Sequence, residues 1–203
     1  GEAEMCGNGA RCFSNFAAAL LHHDKTTPLP FETMAGVVTA TFEKDGNVTV
    51  NLTNPHSMQL FVLNADPTVG ADVHFLNTGV PHAVAFLDKL EGLDISRLGA
   101  YLRYHEAFSP KGTNANFARI LSPGHIAIRT YERGVEDETL ACGTGMTACA
   151  LLHAVLTDAP SPIQVDVAGG DTLKVGFQRT GDRFTDVTLT GPADLVFTGD
   201  IQI

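Results

Sequence analysis

Basic residues are scarce in this chain of 203: 13 Lys plus Arg stand against 23 Asp plus Glu, a formal net charge of −10. Nucleic acid and anionic membrane surfaces both need a basic face that displaces counterions, so neither is expected as the main partner. Apolar runs long enough to span a bilayer are lacking too, and the opening GEAEMCGNG has neither the basic start nor the apolar core of a secretory signal. The reading is a cytoplasmic chain whose partners are small molecules or proteins. Cysteine is sparse, four in all, too few for a disulfide scaffold. Cys6 and Cys12 lie six apart and Cys142 and Cys149 seven apart, not the short gap of a structural zinc knuckle, so no metal is expected. An initiating Met is also absent; the chain starts at Gly1, just ahead of its most informative motif, and the expectation is a cut front.

What is present is a globular composition, 44% hydrophobic, arranged as short β-branched stretches around turn residues. Residues 37–43 and 48–53 flank Lys44-Asp45-Gly46-Asn47, whose Asp-Gly pair suits a two-residue hairpin turn. Residues 116–121 and 125–131 flank Ser122-Pro123-Gly124, and 163–168 and 172–177 flank Gly169-Gly170-Asp171, predicting two more hairpins. The segments 184–190 and 194–198 alternate in the same way. Consecutive hairpins imply a mainly antiparallel sheet rather than a doubly wound parallel one. Three helices are predicted. Residues 94–105 begin at an Asp that can cap the N-terminus and carry Ile95, Leu98, Tyr101 and Leu102 at helical spacing. Residues 9–22 and 145–156 are small or apolar on nearly every side, which predicts buried helices with sheet wrapped around them.

These two apolar helices are introduced alike. Glu2 stands four residues before Cys6-Gly7-Asn8-Gly9, and Glu138 four before Cys142-Gly143-Thr144-Gly145. The repeat suggests duplicated domains related by a pseudo-twofold, with both cysteines facing one interdomain cleft. Glycine on both sides of a polar residue lets the backbone approach a ligand closely and leaves the first helical N–H groups unpaired, an anion site. A free thiol titrates near about 8.5, and the partial positive charge of a helix N-terminus lowers that value, each unit being worth about 1.4 kcal/mol to the thiolate. Two such cysteines flanking a bound carboxylate form a two-base device. One thiolate takes the proton from the carbon beside the carboxylate, the opposite thiol gives a proton to the other face, and a stereocentre inverts. Cys12 and Cys149, inside the apolar helices, read as small buried residues. Three other readings of the pair stay open: a redox disulfide, a Cys hydrolase using one thiol with His82, and a noncatalytic domain that binds an amino-acid-like anion.

EMCGNGARC at 4–12 and ETLACGTG at 138–145 resemble the two signatures of diaminopimelate epimerase, a family that works without pyridoxal phosphate or other cofactor. NTGVPHAV at 77–84, GTNANF at 112–117, YERGVEDE at 131–138 and GPADLVFTGDI at 191–201 match further, in order. The resemblance implies interconversion of LL- and meso-2,6-diaminopimelate in the cytoplasm by a homodimeric isomerase of lysine biosynthesis. It places catalysis on Cys6 and Cys142, with His82 and Glu132 tuning the thiols and holding the ammonium group. Substrate contacts fall on Gly7, Asn8, Asn114, Glu132, Arg133, Gly143 and Thr144, with Arg133 suited to a bidentate carboxylate clamp. Apart from the motif, His82 reads as a structural histidine, Glu132-Arg133 as a surface pair and Asn114 as turn chemistry. The proline and hydroxyproline racemases of the same superfamily are the alternative, but they resemble Cys-Gly-His-Gly at the first cysteine, where this chain has Asn8. Val80 stands where many members carry a substrate-contacting Asn, and the segment from Glu132 to Cys142 is longer by a residue than in some relatives.

The fold implied is α+β, with two pseudo-symmetric domains, each a mainly antiparallel sheet or barrel around a central helix. The first takes residues 1–49 plus 190–203 and the second 50–189. The family's leading strands are not in this sequence, so the first domain is expected to be incomplete, its helix only partly covered, and the piece alone inactive or poorly folded.

Overall fold

A computed structural model describes residues 6–199; Glu2, Glu4 and residues 200–203 of the closing motif lie outside that range. Helix α1 (Gly7–Leu20) leads into strands β1 (Leu29–Thr33), β2 (Gly36–Phe42), β3 (Val48–Asn51), β4 (His56–Asp66), β5 (Ala71–Asn77) and β6 (Pro81–Phe86). Then come α2 (Ile95–Arg103), β7 (Asn114–Ser122), β8 (His125–Glu132), the short β9 (Asp137–Thr139), α3 (Gly143–Thr157), β10 (Ile163–Asp166), β11 (Thr172–Thr180) and β12 (Arg183–Gly191). The strands form one hydrogen-bonded sheet in the order β1-β2-β3-β12-β11-β10-β8-β7-β6-β5-β4, with β9 beside β8. All pairings are antiparallel except β6 with β7 and β8 with β10. Those two need crossovers, which carry α2 and α3 respectively.

Helix α3 is the centre of the larger part. It is buried from Thr144 to Ala154 and touches β5 to β8 on one side and β10 to β12 on the other. Met146, Leu151 and Leu152 pack there against Ile126, Ile163, Val165, Val175 and Leu189. A second core lies under α2, where Leu98 and Leu102 meet Phe117 and Tyr131. Asp94 caps α2 as expected, accepting from Arg97 N at 3.0 Å. The proposed division of the chain at 49/50 and 189/190 runs along the β3–β12 pairing, where Thr49 stands opposite Thr190 and their hydroxyls lie 2.7 Å apart.

Several expectations are corrected. Helix α1 is not buried all round: Gly7, Ala10, Arg11, Ser14, Ala17 and Ala18 face β2, β3 and α3, while Phe16 is 62% and Leu20 66% exposed. Cys12 falls on the outward face and is exposed, unlike Cys149. The 43–47 connection is a turn closed by Gly46 N to the Glu43 carbonyl, with Gly46 at φ +89° and Glu43 N bonded to the Asn47 carbonyl. That is a three-residue hairpin with a glycine bulge rather than the two-residue loop. Residues 194–198 are not a strand; the chain leaves β12 at Gly191 and Pro192, which has no N–H to continue a ladder. Among the described residues, no helix is long and apolar enough to cross a membrane.

Candidate active site

Both apolar helices start at their cysteine. Cys6 (φ −139°, ψ 99°) and Cys142 (φ −130°, ψ 109°) are N-caps in nearly the same extended conformation. Each carbonyl accepts the first helical bond, from Ala10 N at 2.9 Å and Met146 N at 2.8 Å. The N–H groups of the residues just after each cysteine therefore have no partner within their helix. The Cys6 thiol takes one N–H itself, from Gly9 at 3.3 Å. The predicted starts at 9 and 145 are each two residues late, because glycine lowers helix propensity where the backbone is needed bare.

The two helix ends meet glycine to glycine. A Cβ on Gly143 would stand 3.4 Å from Gly7 Cα, and one on Gly7 would stand 2.8 Å from Leu189 Cδ2. The second glycine of the α3 motif is as constrained, since a Cβ on Gly145 would collide with Asn116 Oδ1. Each Cys-Gly-polar-Gly motif thus lets two helices aim their N-termini at one place. That place is a cavity of about 320 Å³. Cys6, Gly7 and Asn8 line it from α1, and Cys142, Gly143 and Thr144 from α3. Asn114, Glu132, Arg133 and Val80 close it from the sheet side.

Cys142 is buried, with Thr144 Oγ1 3.5 Å from its sulfur. Burial raises its pKa most, against the lowering by the Thr144 hydroxyl and the Gly145 N–H, with Glu132 and Cys6 adding to the rise; the net direction is opposite to the lowering expected of a helix N-terminus. Asn114 is largely committed to structure: its Oδ1 accepts from Arg133 N at 2.7 Å and its Nδ2 donates to the Pro81 carbonyl at 3.0 Å, pinning the Arg133 turn to β6. Arg133 makes no ion pair with its neighbour Glu132; its Nη1 lies 3.4 Å from the Lys111 carbonyl, and both side chains border the cavity. Glu138, the acidic residue ahead of the second motif, is spent on a bidentate pair with Arg129, at 2.7 and 2.6 Å, away from the cavity. Its counterpart Glu2 lies outside the described residues.

His82 is brought close but does not line the cavity. It is fully buried on β6, beside Asn114 of β7. Asn116 Nδ2 donates to the Ala83 carbonyl at 3.0 Å and lies 3.1 Å from His82 Nδ1. A carbonyl can only accept, so the amide nitrogen is fixed there, His82 Nδ1 must accept, and the proton sits on Nε2. Burial, helped by the Arg133 charge, pushes the His82 pKa down to about 3, so the ring is neutral. Asn116 and Arg11, which reaches the Asn8 side chain, belong to the site's surroundings; both stand inside the quoted motifs GTNANF and EMCGNGARC, which gave them no role. His22 and His23 follow the end of α1; the His23 ring lies 3.1 Å from the Thr27 carbonyl in the loop beyond, so the contact is within that loop, away from the cavity, and does not cap the helix. Among the described residues, no cluster of three metal-ligating side chains occurs.

A family model described as diaminopimelate epimerase matches residues 74–196. A diaminopimelate epimerase of Hydrogenobaculum is 42% identical over 202 residues, an alignment covering 97% of this chain and 70% of the relative. Among solved structures, a phenazine biosynthesis protein of Bacillus anthracis superposes with a TM-score of 0.68 at 13% identity, over 94% of this chain and 74% of that one. A hydroxyproline epimerase of Agrobacterium vitis does so with a TM-score of 0.58 at 22% identity, over 82% of this chain and 56% of its own. At such identities these two speak for the fold alone.

Proposed function

The chain belongs to the diaminopimelate epimerase family, and on that premise we propose that it interconverts LL- and meso-2,6-diaminopimelate through Cys6 and Cys142. The observation that carries the site assignment is the pair of cysteine N-caps on two helices whose ends touch, opening on one cavity. The reacting carboxylate sits between the helix ends, taking N–H groups of Gly7 and Asn8 from one side and Gly143 and Thr144 from the other. Arg133 and Glu132 offer opposite charges to the distant carboxylate and ammonium groups.

The proton inventory is simple. In one direction the Cys6 thiolate removes the proton from the α-carbon and the Cys142 thiol delivers its own to the opposite face, leaving Cys6 protonated and Cys142 ionised. The reverse reaction starts from that swapped state. Burial of Cys142 supports its role as the proton donor in the first direction. His82, neutral and outside the cavity wall, accepts from Asn116 of β7 and does not exchange protons with substrate. The homodimer and the cytoplasmic setting that the resemblance implies belong to the same proposal.

Incubation with LL-diaminopimelate in heavy water should place deuterium at the α-carbon and yield the meso isomer. Cys6→Ala and Cys142→Ala should each reduce epimerisation by several orders of magnitude. Full activity in either variant refutes the two-thiol assignment; turnover of proline in place of diaminopimelate refutes the substrate.

A further inference from the structure

One charged side chain of α1 is almost fully buried. Arg11 is 3% exposed, and its guanidinium donates to three oxygens: Nε to the Pro192 carbonyl at 3.3 Å, Nη1 to the Gly7 carbonyl at 3.3 Å and Nη2 to Asn8 Oδ1 at 3.0 Å. Burial lowers the guanidinium's pKa, while Cys12, Cys6 and Asp171 act in the other direction. The contact with Asn8 has a directional meaning. A guanidinium carries donors only, so the Asn8 atom facing it is the amide oxygen. Asn8 also lines the cavity. With its oxygen held by Arg11, the end left for a ligand is the NH₂ group.

We propose that Arg11 is a positioning residue of the epimerase site: it turns Asn8 so that the cavity meets an amide donor, suited to the substrate carboxylate, rather than an amide acceptor that would repel it. The inference rests on the function proposed above. The device belongs to one half of the site. At the matching places of α3 stand Thr144, for Asn8, and Thr147, for Arg11, and Thr147 Oγ1 only donates back to the Gly143 carbonyl at 2.9 Å. Thr144 needs no such anchor, because a hydroxyl rotates to donate or accept as the ligand requires. Asn8 has no such freedom, since the wrong amide face would place a carbonyl against the anion.

The test is steady-state kinetics of the intact protein with LL-diaminopimelate. Arg11→Met should raise KM about tenfold or more, the effect of losing a hydrogen bond to a charged group, with a smaller change in kcat. Arg11→Lys, which keeps a donor-only head, should recover most of that loss. In the Arg11→Met, Asn8→Ala double variant KM should equal that of Asn8→Ala alone, because Arg11 acts through Asn8; a merely structural role would make the two effects add. Asn8→Asp keeps an acceptor for Arg11 while turning an oxygen on the cavity. It should raise KM at least as much as Arg11→Met and leave thermal melting unimpaired, and it carries the test if Arg11→Met does not fold. An unchanged KM in Asn8→Asp, or additive effects in the double variant, overturns the proposal. An intact, folded wild-type protein that neither binds nor converts the substrate overturns the epimerase reading itself, a result distinct from an active wild type whose variants do not shift.

Discussion

Replacing His82 by Asn offers a quantitative check on how its ring is held. The buried imidazole accepts a proton only near pH 3, whereas an exposed histidine in the unfolded chain does so near 6.5. Below 6.5 the unfolded state therefore binds a proton that the folded state refuses. The stability supplied by the neutral ring is complete above that pH and is lost as the pH falls toward 3, at about 1.4 kcal/mol per unit. Over two units, from about 6.5 to about 4.5, one such histidine costs about 3 kcal/mol, a sizeable share of the 5–15 kcal/mol typical of a domain. Asn at this position keeps an oxygen that can accept from Asn116 Nδ2 but has nothing to protonate. His74 and His153, also lowered by burial, contribute equally to both proteins and cancel in the difference. Urea unfolding of wild type and His82→Asn at several pH values should show curves that converge, or cross, as the pH falls. A stability difference that stays constant from about pH 7.5 to about pH 4.5 refutes the reasoning.

Two further outcomes are expected. Gly143→Ala places a methyl 3.2 Å from Leu189 Cδ2, which must shift by a few tenths of an ångström, and against Gly7 Cα at 3.4 Å, so it fills the space where the two helix ends meet the cavity. Stability should fall by about 1–3 kcal/mol and turnover by about 100-fold, read by melting and initial rates, and near-wild-type turnover would contradict the close approach. Iodoacetamide should label Cys12 readily in the native chain and Cys149, fully buried with its thiol pKa raised by burial, only after denaturation; equal rates by peptide mass spectrometry would count against the placement of both.

The parts of the molecule legible in the sequence are those with a physical signature in consecutive residues. The doubled Cys-Gly-polar-Gly announced two helix starts, which open on one cavity, because glycine and cysteine are poor choices for any purely structural helix entrance. Asp94 announced α2, and the turn glycines announced three hairpins. What escaped depends on tertiary neighbours. Edge strand β4 carries Ser57, Phe61 and Ala65 at positive φ, with register shifts against β5 between them, and no glycine marks these bulges. The exposure of Phe16 and Cys12 follows from what packs on α1, which its uniformly apolar composition does not record. Glu138 repeats the spacing of Glu2 ahead of its cysteine, and what it does there depends on Arg129, nine residues upstream on β8, which holds it by two hydrogen bonds. Arg11 was visible as a charge in an apolar run, but its meaning depends on the side-chain oxygen of Asn8.

The glycine-to-glycine meeting of α1 and α3 has an energetic side as well as a geometric one. Each helix end carries roughly half a positive charge, and bringing two such ends together sets like against like, at a cost on the order of 1 kcal/mol in a medium of protein-like polarity. The fold itself thus holds a standing repulsion at the place where its two helices touch. An arriving carboxylate turns that repulsion into a shared attraction, so one anion draws both ends toward itself and acts for a moment as the mortar between the two helices.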